Sequence, residues 1–362
     1  MSEFSTKLKR VHELLDQKGL DGVVLFQYRN FAWITCGKDN RVPFATEIGG
    51  APLLITKKGN YAFTNAIEYP RIKEEELQGK DFEFVKFDWT CDKPGEVLKF
   101  AKGMKIASDA AMNGFEIIGS DFAKLRYSLT EDEVKRYEKL GGDVSKTISG
   151  VAHEIRKGMT EYEIAAQMEY ELKLKGIASP VTLVGTDERI RKFRHPIPTS
   201  KKLEKYAMLV TCAEKYGLVV AMTRFVHFGK LDAELAKKRD AVAKIDAAMM
   251  NATKVGTSAS DVLAKGIKTY VEVGFADEWK LHHQGGAIGY ATREYTATPS
   301  CKETVQENQA FAWNPSITGA KSEDTMIAKK KGYMIITEDK IWPLIEVEIE
   351  GKTIKRPDFL EL

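Results

Sequence analysis

Residues 281–296 read LHHQGGAIGYATREYT and contain two adjacent histidines, three glycines and an Arg-Glu pair. Histidines beside glycines suggest a metal site or a catalytic site, because both need polar ligands on a backbone that allows close approach. The inner segment GAIGYATRE, at 286–294, is the motif from which the metal positions of the second half of the chain can be aligned.

The composition argues against several classes of protein. The chain has 362 residues, 43% of them hydrophobic, which is enough for two ordinary domains. The net charge is only +3 and no block of Lys and Arg stands out, so we expect no nucleic-acid partner. No apolar run approaches the roughly 18 residues of a membrane span, and the four cysteines form no CxxC pair. We therefore expect a cytoplasmic protein with no membrane partner.

The first part of the chain alternates helical and strand-like patterns. Residues 5–18 place apolar side chains on one helical face, and 22–26, 51–55 and 61–63 are short apolar runs bounded by turn residues. These patterns predict a small α/β domain over residues 1–125. A second domain, 126–362, is expected to open with a helix capped by Thr130 and Glu133.

The second domain contains a weak internal repeat. Residues 146–176 and 244–274 each predict a helix, a Gly-x-Thr/Ser break and a second helix that ends in glycine. Sheet-like sequence follows each copy, at 206–228 and 309–336. A helix pair with a sheet, occurring twice, predicts a pseudo-symmetric α+β domain with a cleft between its halves.

Four motif regions follow one another in the second half of the chain: VTCAEKYGLVVAMTRF at 210–225, GAIGYATRE at 286–294, FAWNPSI at 311–317 and KSEDTMI at 321–327. In these regions and their order, the chain resembles the pita-bread (M24) hydrolases, the family of creatinase, aminopeptidase P and prolidase. The resemblance covers almost the whole chain. It implies an α+β architecture, with a creatinase-type N-terminal α/β domain over 1–125 and a pseudo-symmetric pita-bread domain over 126–362.

The family's metal positions are mostly altered in this sequence. Its peptidases hold two metal ions with two Asp, one His and two Glu, a donor set that suits hard divalent ions. In register with the family motifs, those five positions carry Val210, Ala221, Gly286, Asn314 and Glu323. One carboxylate cannot hold two divalent ions, so we expect neither a dinuclear metal site nor another cofactor.

The polar residues that remain predict a site for an organic substrate. The resemblance places His195, in RHPIP at 194–198, where relatives keep a histidine that contacts substrate and that creatinase uses as its acid/base. We expect proton transfer and water activation from His195, His283, Glu323 and Glu294. Substrate contacts are expected from His282, Arg293, Arg224, Tyr290 and Asn314.

Structural roles compete with some of these assignments. Adjacent residues of a strand point to opposite faces, so one of His282 and His283 is expected in the cleft, with His283 preferred. Arg224 with Glu323 is the candidate for a structural buried ion pair. Glu294 could likewise pair with its neighbour in the chain.

Several functions remain open. The first is a metal-independent, creatinase-like hydrolase or lyase that acts on a small C–N-bonded substrate carrying a carboxylate. The alternatives are an Xaa-Pro peptidase-like protein and a non-catalytic binding protein on the same fold. A different register would leave a mononuclear metal site built from His282, His283, Glu294 and Glu323. The resemblance also implies a homodimer.

Overall fold

A computed structural model describes residues 2–362, and the chain divides into two compact units. One unit ends at Arg126 and also takes in residues 216–218; the other holds residues 127–215 and 219–362. No helix among the described residues is long and apolar enough to cross a membrane.

The first unit is a six-stranded mixed sheet with helices, in the strand order β4-β3-β2-β1-β5-β6. Its first helix begins after Ser2, whose hydroxyl accepts the Ser5 N–H, and it ends at Gly19 in the left-handed conformation. The predicted alternation of helix and strand is confirmed. The elements are α1 Glu3–Lys18, β1 Gly22–Gln27, α2 Tyr28–Ile34, β2 Ile48–Thr56, β3 Asn60–Asn65, α3 Tyr69–Arg71, a π-helical turn Ile72–Glu76, β4 Glu83–Phe87, α4 Lys93–Phe100, β5 Ile106–Ser108, β6 Glu116–Ile117 and α5 Gly119–Lys124.

A buried carboxylate joins the central strand of this sheet to its neighbour. Asp109 follows β5 and accepts hydrogen bonds from the Phe26 N–H (2.8 Å) and the Asn30 amide (2.7 Å). Burial raises the pKa of Asp109 to about 6, although these hydrogen bonds act in the opposite direction.

The second unit contains the two predicted helix pairs. Its first helix carries the predicted capping box, in which Thr130 and Glu133 bond each other's backbone N–H groups, and the second carries another at Thr160 and Glu163. The elements are α6 Glu131–Glu154, α7 Glu161–Leu174, β7 Ala178–Thr186, α8 Glu188–Lys192, β8 Tyr206–Lys215, β9 Leu218–His227, α9 Ala233–Ala252, α10 Ala259–Glu272, a 3₁₀ turn Glu278–Leu281, β10 Gly285–Ile288, β11 Tyr295–Thr296, β12 Ala310–Trp313, β13 Ser316–Ile317, β14 Ala320–Lys321, β15 Asp324–Ala328, β16 Tyr333–Ile335, β17 Leu344–Ile349, β18 Lys352–Pro357 and β19 Leu360–Glu361.

Two sheets of this unit follow the two helix pairs, as the repeat predicted. One has the order β19-β9-β8-β7 and the other β11-β10-β12-β15-β16. Helices α9 and α10 pack on a core that includes Phe311 and Trp313, which are stacked at 5.5 Å between ring centroids. Residues from all four motif regions belong to this core, and the strands that carry them, β8, β9, β10, β12 and β15, are inner strands of the two sheets.

The predicted pairing of Arg224 with the Glu323 side chain is wrong. The Arg224 guanidinium donates instead to Asp324 Oδ1 at 2.9 Å, and Arg356 bridges the other oxygen of Asp324 to Asp246. Adjacent residues alternate across an extended chain, so Thr223 meets Glu323 on one side while Arg224 meets Asp324 on the other. All four charged groups of this network are buried.

Candidate active site

A cavity of about 350 Å³ lies within the second unit and gathers most of the polar residues that the sequence singled out. Strands β7 and β8 supply its apolar wall, through Val181, Leu183 and Val210. Loops and strand ends supply its charged and imidazole or amide groups: His195, His283, Arg293, Asn314, Lys321 and Glu323. An apolar pocket with a few convergent polar groups is the usual form of a small-molecule site.

Three histidines converge beside this cavity, and two of them, His195 and His283, line it. His195 Nε2 lies 3.0 Å from His282 Nε2, and the rings of His282 and His283 are stacked with centroids 4.3 Å apart. Of the adjacent pair, His283 lines the cavity and His282 does not, as expected. Strand alternation is not the reason, because both residues precede β10 and their rings are stacked.

These imidazoles are held in the neutral form. Desolvation within the cleft, followed by the Lys321 ammonium, lowers the pKa of His282 to about 3. Desolvation and the Arg293 guanidinium lower the pKa of His283 to about 4, and desolvation with Lys321 also lowers the pKa of His195. Neutral imidazole nitrogens can accept a proton or bind a metal ion.

The retained carboxylate, Glu323, is already paired with cations. Its Oε2 accepts bonds from Lys321 Nζ and from the Thr223 hydroxyl, each at 2.7 Å, and its Oε1 lies 3.5 Å from Arg293. Burial raises the pKa of Glu323, but Lys321 and Arg293 outweigh it and hold the pKa at about 2. Glu323 is therefore an ionised anchor for two cations and a poor proton acceptor.

Lys321 is the site residue that the sequence reasoning missed. It precedes Glu323 by two positions in KSEDTMI, and residues two apart in an extended segment share a face. That spacing was the signal that could have placed its ammonium beside the carboxylate.

Two polar atoms at the cavity wall have no partner among the described residues. They are Arg293 Nε, a donor, and Asn314 Oδ1, an acceptor, and both are buried. An unpaired buried polar atom costs about 1–3 kcal/mol, so a ligand that offers one acceptor and one donor there recovers that cost.

Four predicted site residues do not line the cavity. His282 lies beside it in contact with His195, and the other three have partners elsewhere. Arg224 belongs to the buried ion network, and Tyr290 is fully buried with its hydroxyl bonded to Glu133 at 2.6 Å. Glu294 Oε1 accepts the Tyr290 N–H at 3.0 Å and so holds the turn after β10. These contacts give Arg224, Tyr290 and Glu294 structural roles.

The backbone at Gly286 has no space for a side chain. A Cβ added there would lie 2.2 Å from the carbonyl oxygen of Tyr295 and 3.0 Å from Thr296 Cα. Both are backbone atoms of β11, which pairs directly with β10 at this residue. The position that the family fills with a ligand histidine is closed here by the neighbouring strand.

Comparison with known proteins places these features in a family. Metallopeptidase family M24 matches residues 136–341, and the Creatinase/Prolidase N-terminal domain matches residues 7–157. An Xaa-Pro dipeptidase of Pyrococcus horikoshii is 22% identical over 365 residues, which cover 93% of this chain and 98% of the relative.

Solved structures share the same architecture. The Xaa-Pro dipeptidase from Bacillus anthracis superposes with a TM-score of 0.81 at 19% identity, over 99% of this chain and 100% of that one. The N-terminal domain of the FACT complex subunit SPT16 from chickpea (Cicer arietinum) gives a TM-score of 0.71 at 12% identity, over 93% and 96%. The expected fold, a creatinase-type N-terminal domain followed by a pita-bread domain, is confirmed.

Proposed function

Because the chain belongs to metallopeptidase family M24, a family of hydrolases, we propose that its cleft hydrolyses the C–N bond of a small substrate that carries a carboxylate. The relatives named Xaa-Pro dipeptidase make such dipeptides the first substrate class to test. Ureido and amidino acids, the creatinase-like class, are the second. The observation that carries the proposal is a cationic cavity wall that faces neutral imidazoles.

The charges of the cavity wall support a carboxylate-bearing substrate. Arg293 and Lys321 bring two positive charges and Glu323 one negative charge, which leaves an excess of one positive charge. A substrate carboxylate or carbonyl can accept from Arg293 Nε while a substrate N–H donates to Asn314 Oδ1. A charge-assisted hydrogen bond of this kind contributes about 1.5–3 kcal/mol.

We infer that this hydrolysis does not use the two-ion centre that the family name implies. Of the five residues at the family's ligand positions, only Glu323 has an anionic donor, and Lys321 and Arg293 already neutralise it. The tight backbone at Gly286 leaves no space for a histidine. This donor set does not fit two divalent ions, which need several anionic oxygens.

His195 can take over the activation of water, because it lines the cavity and stands where the resemblance places an acid/base. In the metal-free chain, its imidazole accepts a proton from water as the water oxygen bonds to the carbonyl or amidine carbon. The C–N bond then breaks and the same proton passes to the leaving nitrogen, which gives an acid (or urea) and an amine. Lys321 and Arg293 favour the negative charge that develops on the former carbonyl oxygen.

The test is a paired substrate panel. Each Xaa-Pro dipeptide, ureido acid and amidino acid is assayed beside its carboxamide, with wild type, Arg293→Gln and the exposed control Arg156→Gln. We expect kcat/KM for the best acid to fall about 10–100-fold in Arg293→Gln and not in Arg156→Gln, with little change for the carboxamide. Absence of hydrolysis across the panel, or an equal loss for acid and carboxamide, would contradict the proposal.

A further inference from the structure

Three of the six histidines of the chain meet at one point, although 87 residues separate His195 from His282. One ring nitrogen from each of His195, His282 and His283 lies within 4.8 Å of the other two. None of the three occupies a position that the family uses for its two ions. This histidine cluster therefore needs an explanation of its own.

The distances between the histidine nitrogens are close to those between the ligand nitrogens of a metal site. Ligand nitrogens about 2.0–2.1 Å from a tetrahedral ion are about 3.3 Å apart. The pair His195 Nε2 and His282 Nε2 is already at 3.0 Å, and the remaining distances need to shorten by at most roughly 1.5 Å. All three residues lie outside strands, so ring rotations and small loop shifts can provide this movement.

Hydrogen bonds of Gln284 fix the backbone of the segment that carries His282 and His283. Buried Gln284 accepts a hydrogen bond from Tyr270 at 2.7 Å and donates to the carbonyl oxygens of Trp279 and His282. These bonds fix the bend that presents both adjacent rings to His195. The Nδ1 of His282 is buried and has no partner among the described residues, so this ring makes its polar contact only towards the cluster.

We propose that His195, His282 and His283 form a mononuclear binding site for a divalent transition-metal ion that prefers imidazole ligands, such as Zn²⁺ or Co²⁺. Imidazole nitrogens suit these ions, whereas Mg²⁺ and Ca²⁺ select oxygen donors. Lys321 and Arg293 oppose a bound cation and Glu323 offsets only one of them. Ions that gain little from imidazole coordination are therefore excluded. The site concerns binding and does not depend on the proposed hydrolysis.

The test measures bound metal in the full chain. Protein stripped with chelator is titrated with Zn²⁺ by calorimetry, and with Co²⁺ by its visible absorption, which reports the coordinating atoms. We expect one ion per chain, and a loss of affinity on the order of 100-fold or more in His282→Ala and in His195→Ala. The control His153→Ala, on α6 and outside the cluster, keeps the wild-type isotherm.

Several outcomes would overturn the site. They are no saturable binding to the wild type, unchanged affinity in His282→Ala, equal binding of Mg²⁺, or two ions per chain. The wild-type titration alone shows whether binding is saturable, so the proposal can be refuted even if a variant folds poorly. Because the readout is binding, hydrolysis can fail while the site stands, and the reverse also holds.

Discussion

Substitution of Gly286 by alanine tests the geometry that closes the family's histidine position. The added Cβ would lie 2.2 Å from the Tyr295 carbonyl oxygen, well inside contact distance, and 3.0 Å from Thr296 Cα. Both atoms belong to paired backbone and cannot rotate away, so β10 and β11 must separate. Overpacking of a well-packed site usually costs 1–3 kcal/mol, and a clash with backbone belongs at the upper end. We expect a loss of about 3 kcal/mol in the free energy of unfolding.

The assay is urea unfolding followed by tryptophan fluorescence, with Gly289→Ala as the matched control. A Cβ at Gly289 would meet only the Glu294 side chain, with Oε1 at 3.3 Å and Cγ at 3.8 Å, and no backbone atom. We expect that variant to stay within about 1 kcal/mol of wild type. If Gly286→Ala proved as stable as Gly289→Ala, the close approach of the two strands would be refuted, and with it the closure of the histidine position.

Three further predictions concern other buried groups. Arg356→Met leaves two buried aspartates without their shared cation, so urea unfolding should show that the free energy of unfolding falls by about 3–5 kcal/mol. The control Lys355→Met, at the exposed neighbouring residue, should change it little. Asp109 has a folded-state pKa raised from 3.8 to about 6, so its contribution to stability is present below pH 4 and is lost as the pH rises to 6. The stability of wild type minus that of Asp109→Asn should fall by about 3 kcal/mol over that window, and a flat difference would refute the raised pKa. Cys212 is half-buried in the cavity wall, where desolvation raises its thiol pKa to about 11, so iodoacetamide at pH 8 should label the exposed Cys91 first. Peptide mass analysis follows the labelling, and faster labelling of Cys212 would contradict the raised pKa.

Local signals in the sequence predicted much of the fold. Capping residues define where a helix begins, as at Thr130, and apolar periodicity defines its buried face. The repeated helix pair was visible because the same break, Gly-x-Thr/Ser, precedes α7 and α10. These features depend on neighbours in the chain, so they can be seen without the tertiary structure.

The site was harder to predict because its contacts are not local. The cluster of His195 with the adjacent pair depends on a bend before β10, and strand alternation was the wrong rule there. The partner of Arg224 was missed by one residue, although alternation along 323–324 separates the cavity side from the interior side. Which of two adjacent side chains contacts a given partner therefore depends on segments that are far away in the sequence.

We propose above all that this M24 chain keeps the cleft of its family but not a two-ion centre. The most direct measurement is the number of Mn²⁺ ions bound per chain at saturation, from equilibrium dialysis of wild type and Glu323→Gln. Mn²⁺ favours oxygen donors and binds imidazole weakly, so it reports the carboxylate positions. We predict fewer than two ions per chain, and the same number in Glu323→Gln. Two Mn²⁺ ions per wild-type chain, lost in Glu323→Gln, would contradict the claim.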